Sequence, residues 1–241
     1  MKESFIKTKN YTRLMESFTR LENLPASAPR MGLGFGNFGL GKTFSLERIA
    51  AQKNAILLRA AQTWSKKTVL ERLCVELGLD TQGGSGRMYE RILDELRREE
   101  RIIIVDEIDS LLRSDKTSVL EMFRDIHDET STVLYMIGME EADAKLQRHR
   151  HYYSRVVEFI KFERINRADI EAYCSLAEVK IEDDLINHFA AYFPNLRQIK
   201  VLILRIENAC EINNVESVNL KKFEELGVAH GIKKESSASK H

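Results

Sequence analysis

Proline is scarce in this sequence, three residues in 241, which excludes long proline-rich linkers. Cysteine is equally scarce. Cys74, Cys174 and Cys210 are odd in number and widely spaced, so they indicate buried thiols in a reducing compartment rather than disulfides or a zinc site. The six histidines show no metal-ligand spacing. No apolar run is long enough to cross a bilayer. The opening stretch Met1-Lys2-Glu3-Ser4-Phe5-Ile6-Lys7 lacks the apolar core of a secretion signal, so a cytoplasmic chain without a membrane partner is expected. Net charge is missing too: 37 acidic residues balance 37 basic ones. Nothing draws the whole chain toward nucleic acid or acidic lipid, and any DNA contact must come from a local basic patch.

What is present centres on Gly36-Asn37-Phe38-Gly39-Leu40-Gly41-Lys42-Thr43. The stretch fits G-x-x-x-x-G-K-[ST], the loop that wraps the phosphates of a nucleoside triphosphate. Its glycines let the backbone turn tightly so that successive N–H groups point inward at phosphate oxygens. Lys42 reaches for the outer phosphates, and the Thr43 hydroxyl helps hold Mg²⁺. The context agrees, with a strand over 30–35 running in and a helix from Phe44 running out, whose N-terminus adds partial positive charge. ATP and Mg²⁺ are the expected cofactors.

Downstream, strands alternate with helices. Apolar runs at 54–59, 102–107, 132–138 and 156–160 read as strands, and amphipathic helices lie between them. The unbroken β-branched run Ile102-Ile103-Ile104-Val105 suits a strand buried on both faces of a parallel sheet. This alternation predicts a doubly wound α/β fold. From about Asn166 the pattern becomes helical, near 167–178, 182–192, 195–212 and 219–226, with no convincing strand. The expected organisation is an N-terminal segment and helix over 1–28, an α/β nucleotide-binding core over 29–163, a small all-α lid over 164–228 and a flexible tail over 229–241.

The 102–105 run ends in Asp106-Glu107. An acid at the carboxyl end of a buried strand lies where open α/β sheets bind ligands. Asp106 can hold Mg²⁺ through its water shell, and Glu107 can orient or deprotonate an attacking water. A lone acid suits binding; the pair beside a phosphate loop suits hydrolysis. Asp109 reads as a supporting group or a helix cap.

These motifs, with an α/β core followed by a helical lid, resemble the AAA+ ATPases over roughly 5 to 228. The resemblance implies a P-loop AAA+ core and two further arginines. Arg155, in Tyr153-Ser154-Arg155, resembles the arginine that reaches a neighbouring subunit's nucleotide, with Arg148, Arg150 and Arg164 as competitors. Arg197, in Pro194-Asn195-Leu196-Arg197, resembles the lid arginine that senses the terminal phosphate, with proline where glycine is usual. The family also places a polar residue at the end of its fourth strand. Here Ile137-Gly138-Met139-Glu140 puts a methionine there, so Glu140 or Glu141 substitutes or hydrolysis is slow.

Within the superfamily, the segment Phe5–Asn10, the compact core and the small lid look most like the DNA-transposition ATPases, the group of the phage Mu B protein and the targeting ATPases of Tn7-like elements. That resemblance implies a homo-oligomer, as a ring or helical filament on double-stranded DNA, that recruits and activates a transposase. No room is expected before the core for a helix-turn-helix domain, so the core itself must bind DNA. Candidate groups are Lys66 and Lys67 with Arg59 around the turn after the second strand, and Arg87 after the Gly83–Gly86 turn. Thr63, Trp64 and Ser65 are possible phosphate partners, although a lone tryptophan reads more naturally as a packed aromatic. Backbone contacts of this kind need no base reading. The basic, aromatic stretch 145–153 suits a subunit interface as well as DNA. A replication initiator or clamp loader, and a slowly hydrolysing regulatory module, are the alternative functions.

Overall fold

The structure is a computed structural model that describes residues 4–112, 117–193 and 195–232. Pro194 and residues 233–241, which include most of the expected tail, lie outside the described residues. The chain forms two compact units. The larger takes Arg13–Asn37 and Lys42–Phe162. The smaller takes the chain before Arg13, the short stretch Phe38–Gly41 and the chain from Glu163 onward.

The larger unit holds most of α1 (Lys9–Glu22), then β1 (Met31–Phe35), α2 (Lys42–Lys53), β2 (Ile56–Arg59), α3 (Lys66–Glu76), α4 (Ser85–Arg98) and β3 (Ile103–Asp106). A 3-10 turn at Ile108–Ser110 follows, then α5 (Thr117–Thr130), β4 (Leu134–Gly138), α6 (Ala142–Gln147), α7 (Arg150–Tyr153) and β5 (Val156–Lys161). The five strands form one parallel sheet in the order β2-β3-β4-β1-β5. Parallel strands require crossovers, and the helices that supply them cover the sheet. Every residue of β3 and β4 is accordingly buried.

β1 is unusual in carrying two glycines at the centre of a sheet, where glycine weakens a strand. The neighbouring β4 explains them. A Cβ at Gly32 would lie 2.5 Å from the Tyr135 ring, and one at Gly34 would lie 2.4 Å from Ile137 Cδ1. Large side chains of β4 therefore cover β1 at both positions. Phe18 of α1 stacks on Tyr135 at 4.2 Å. Ser17 Oγ sits 2.9 Å from the Tyr135 hydroxyl and donates to Glu158 at 2.9 Å, and Arg20 grips the same carboxylate with two bonds. Burial pushes the Tyr135 phenol far above its usual value, so it stays neutral and hydrogen-bonded. Arg30, itself buried, donates to the carbonyls of Leu21, Glu22 and Ser131. It thereby closes the C-terminal end of α1, whose carbonyls have no partner within the helix.

The smaller unit contains α8 (Arg167–Cys174), β6 (Lys180–Ile181), α9 (Asp183–Tyr192), α10 (Leu196–Asn213), β7 (Ser217–Val218) and α11 (Leu220–Glu225). Phe189 anchors it, meeting Phe193 and Phe223 edge-on at 6.2 and 5.5 Å. The expectation of no strand here needs amending. β6 and β7 pair in parallel, Lys180 with Ser217 and Ile181 with Val218. Two residues per strand are too few to show a period of two in the sequence.

Candidate nucleotide-hydrolysis site

In an open parallel sheet, ligands bind beyond the carboxyl ends of the strands. The loop after β1 and the acids after β3 both emerge at that edge. Gly39 and Gly41 take φ of +76° and +85°, a left-handed conformation that side-chain-bearing residues avoid. Lys42 Nζ curls back onto the loop, donating to Gly36 O at 2.5 Å and Asn37 O at 2.7 Å. Asn37 Nδ2 donates to Glu140 at 2.5 Å, and Glu140 also pairs with Lys161 at 3.2 Å. Glu140, one of the two acids considered for the missing polar group, is thus tied to the loop by a side-chain bond. Met139 Sδ lies 4.0 Å from Lys42 Nζ.

The acids differ sharply from each other. Asp106 is 3% exposed, and both its oxygens are engaged. Oδ1 accepts the Glu107 N–H at 2.8 Å, and Oδ2 accepts the Thr43 hydroxyl at 3.2 Å. Thr43 and Asp106, the two expected Mg²⁺ groups, therefore meet. Two hard oxygens at this spacing are the donor chemistry Mg²⁺ takes, so the residues fit the ion. Glu107 sits in the left-handed region at φ 58°, ψ 40°, a strained conformation for a glutamate. Its side chain is 64% exposed, so the backbone turn holds the carboxylate out from the strand end toward solvent.

Two further groups support the corner: Arg59, which sequence reasoning missed, and Asp109, which it reads as a supporting group or a helix cap. The sequence places Arg59 among the DNA candidates, yet β2 pairs it in register with Asp106. Its guanidinium lies 3.9 Å from Asp106, 4.0 Å from Glu107 and 3.5 Å from Glu47. Asp109 accepts the Met139 N–H at 2.6 Å and pairs with Lys145 at 3.2 Å. It ties the turn after β3 to the end of β4. A Cβ at Gly138 would lie 2.8 Å from Asp109 Oδ2 and 2.5 Å from Ala142 Cβ, so glycine there keeps this approach open.

Arg155 is placed elsewhere. It immediately precedes β5, so it lies at the amino edge of the sheet, opposite the edge that carries Asp106. Its guanidinium binds Asp128 through two 2.8 Å contacts and donates to His151 O at 3.0 Å. Of the competing arginines, Arg148 and Arg150 are exposed, and their side chains make no hydrogen bond or ion pair among the described residues. Of the DNA candidates, Lys66 and Arg87 are likewise exposed and without a side-chain partner among the described residues. Lys67 pairs with Glu71 at 3.7 Å. Trp64 is buried, with the Arg72 guanidinium 5.8 Å from its ring. Ser65 caps α3 by accepting the Thr68 N–H at 3.2 Å. Arg87 stands within the first turns of α4 rather than in a free loop.

In the smaller unit, α10 begins at Asn195 and Leu196. Asn195 Oδ1 accepts the N–H groups of Arg197 and Gln198 at 3.0 and 3.3 Å, as an N-cap residue does. The Arg197 guanidinium makes no hydrogen bond or ion pair among the described residues. Among those residues no helix is long and apolar enough to cross a membrane, and no cluster of three or more metal-ligating side chains occurs.

A protein-family model described as an AAA domain matches residues 26–146. A protein of Staphylococcus aureus named as a potential ATP-binding protein is 29% identical over 137 residues, 51% of this chain and 48% of its own length. The chain thus spans about half the length of that curated relative. The Aeropyrum pernix ORC2 protein, solved in ADPNP–ADP complexes, superposes with a TM-score of 0.67 at 14% identity, covering 95% of this chain and 68% of that one. Domain III of the Thermotoga maritima replication initiation protein DnaA gives 0.57 at 17% identity, covering 92% of each chain. At such identities the two structures show a shared fold.

Proposed function

This chain belongs to the AAA domain family, and on that premise we propose that it is an ATPase whose nucleotide state controls a homo-oligomer on duplex DNA. The observation that carries the reading is the meeting of Thr43 with Asp106 beside the outward-facing Glu107. A phosphate loop alone binds; this corner also supplies the groups for hydrolysis. Bound Mg²⁺ supplies charge compensation at the phosphates. Thr43 and Asp106 hold it, and Lys42 exchanges the carbonyls of Gly36 and Asn37 for phosphate oxygens, to which its bonds are stronger. Glu107 accepts the proton of the attacking water. Arg197 senses the terminal phosphate, and Arg155 serves the site of a neighbouring copy. With Met139 where a polar side chain is usual, turnover is slow and partner-stimulated.

The DNA surface we propose is Lys66, Lys67 and Arg87, repeated along the duplex by assembly. Wild-type binding should weaken steeply with salt. Replacing Lys66 and Lys67 by alanine should flatten the log–log slope by about 0.9 for each phosphate that is no longer neutralised. An unchanged slope moves the DNA surface elsewhere. The partner we propose is a transposase, on the resemblance of the N-terminal segment, core and lid to the transposition ATPases. Replication initiation is the second reading, favoured by the shared fold with a protein named for that role. Negative-stain microscopy with duplex DNA and a slowly hydrolysed ATP analogue tests the assembly. Filaments or rings that need both ligands support it, and single particles under all conditions refute it. Stimulation of strand transfer by a cognate transposase then separates transposition from initiation.

A further inference from the structure

The phosphate loop's crest is held from behind. Asn195 Nδ2 donates to Phe38 O at 3.2 Å, and the Leu196 N–H donates to Gly39 O at 2.9 Å. These residues share the smaller compact unit. Asn195 is 4% exposed, and both ends of its amide are used, the oxygen on the helix and the nitrogen on the loop. The approach is close enough to explain a glycine. A Cβ at Gly39 would lie 2.1 Å from Asn195 Oδ1, so the position is barred to side chains by its neighbour as well as by its backbone angle.

In a trans peptide the C=O and the following N–H point in opposite directions. Fixing the carbonyls of Phe38 and Gly39 against the start of α10 therefore turns the Gly39 and Leu40 N–H groups to the other side of the loop. Neither N–H donates a hydrogen bond among the described residues. Two unpaired backbone donors on one side of a glycine loop are what an anion recruits.

We propose that Asn195 is a positioning residue that presets the phosphate loop, its side-chain nitrogen holding the Phe38 carbonyl so that the Gly39 and Leu40 N–H groups face the inner phosphates. This rests on the nucleotide-site reading above. Because these amides serve phosphates that ADP and ATP share, the effect is equal for both nucleotides, unlike that of a terminal-phosphate sensor such as Arg197.

Asn195→Asp separates the two jobs of the side chain. Aspartate caps a helix as well as asparagine does, but it has no N–H to give Phe38. Titration of the full chain with fluorescent ADP and ATP analogues should show both dissociation constants rising together, by about tenfold for one missing bond. The ADP-to-ATP ratio should stay unchanged, with the melting temperature of the nucleotide-free protein near wild type. Arg197→Ala should instead weaken ATP and spare ADP. Wild-type affinity in Asn195→Asp, with Lys42→Ala no longer binding, overturns the proposal and leaves the nucleotide site standing. A wild-type chain that binds neither nucleotide overturns the site reading itself. If Asn195→Asp melts early, Asn195→Ser decides, since its hydroxyl caps α10 but falls short of Phe38. Equal loss for both nucleotides in that variant upholds the latch, and unchanged affinity refutes it.

Discussion

Asp106 and Arg155 are both charged residues at strand ends of one parallel sheet, and their surroundings are opposites. Asp106 closes β3, is buried and has each oxygen matched to a donor within the chain. Arg155 opens β5 at the far edge, a third exposed, gripped by Asp128, itself a third exposed. At about 3.3 Å per residue, the six residues of β5 span roughly 20 Å, too far for an arginine to reach the nucleotide edge of its own sheet. A group that acts within its own chain is assembled in the single chain. On the proposed reading, one that acts on another copy is stored, and the Asp128 pair is the storage.

The largest test breaks that storage. Arg155→Ala should lower the assembly-dependent ATPase rate by about 10³-fold if it stabilises transition-state charge in a neighbour. Removing the half-exposed ion pair should cost the fold under about 1 kcal/mol. Mixing these subunits with Glu107→Gln subunits should restore activity, because some junctions then combine an intact arginine with an intact glutamate. An unchanged rate in Arg155→Ala removes Arg155 from that role and leaves its competitors Arg148, Arg150 and Arg164 to be tested in the same way. Glu107→Gln by itself should lower kcat by about 10²- to 10⁴-fold, the usual scale for removal of a general base, with nucleotide affinity retained. Undiminished turnover would leave the corner with binding groups only.

The same contrast explains what could be read in the chain before its fold was known. The β-branched run into Asp106 and the spacing Gly36 to Thr43 are local, so strand, loop and helix were legible there. The five strands fall within about two residues of their expected ends. Contacts between distant residues were not legible. Asn195 and Phe38 are 157 residues apart, and no spacing rule joins them. Arg59 reads as a spare cation until β2 pairs beside β3 and sets it against two acids. Gly32 and Gly34 argue against a central strand until Tyr135 and Ile137 fill the space above them. A period-of-two search passes over β6 and β7 because pairing, not periodicity, makes them strands.

The smallest test probes the support behind Arg155. His127 precedes Asp128 near the end of α5 and is buried. Its Nδ1 lies 2.7 Å from Thr132 O, which requires a proton on Nδ1, and Nε2 lies 3.5 Å from the Arg30 N–H, which requires a lone pair. The neutral ring meets both demands, whereas the charged ring turns a second N–H toward Arg30. Burial foremost, with Arg155 and Arg30 adding repulsion, holds its pKa below the ordinary 6.5, against the pull of Thr132 O and Asp128. The unfolded chain therefore takes up the proton first as pH falls. Stability should be intact above pH 6.5 and decline below it by at most about 1.4 kcal/mol per pH unit, levelling once the folded ring also titrates. His127→Gln should remove this part of the acid sensitivity in denaturant titrations at stepped pH. If the variant keeps the full wild-type slope, His127 is not the group that acid attacks.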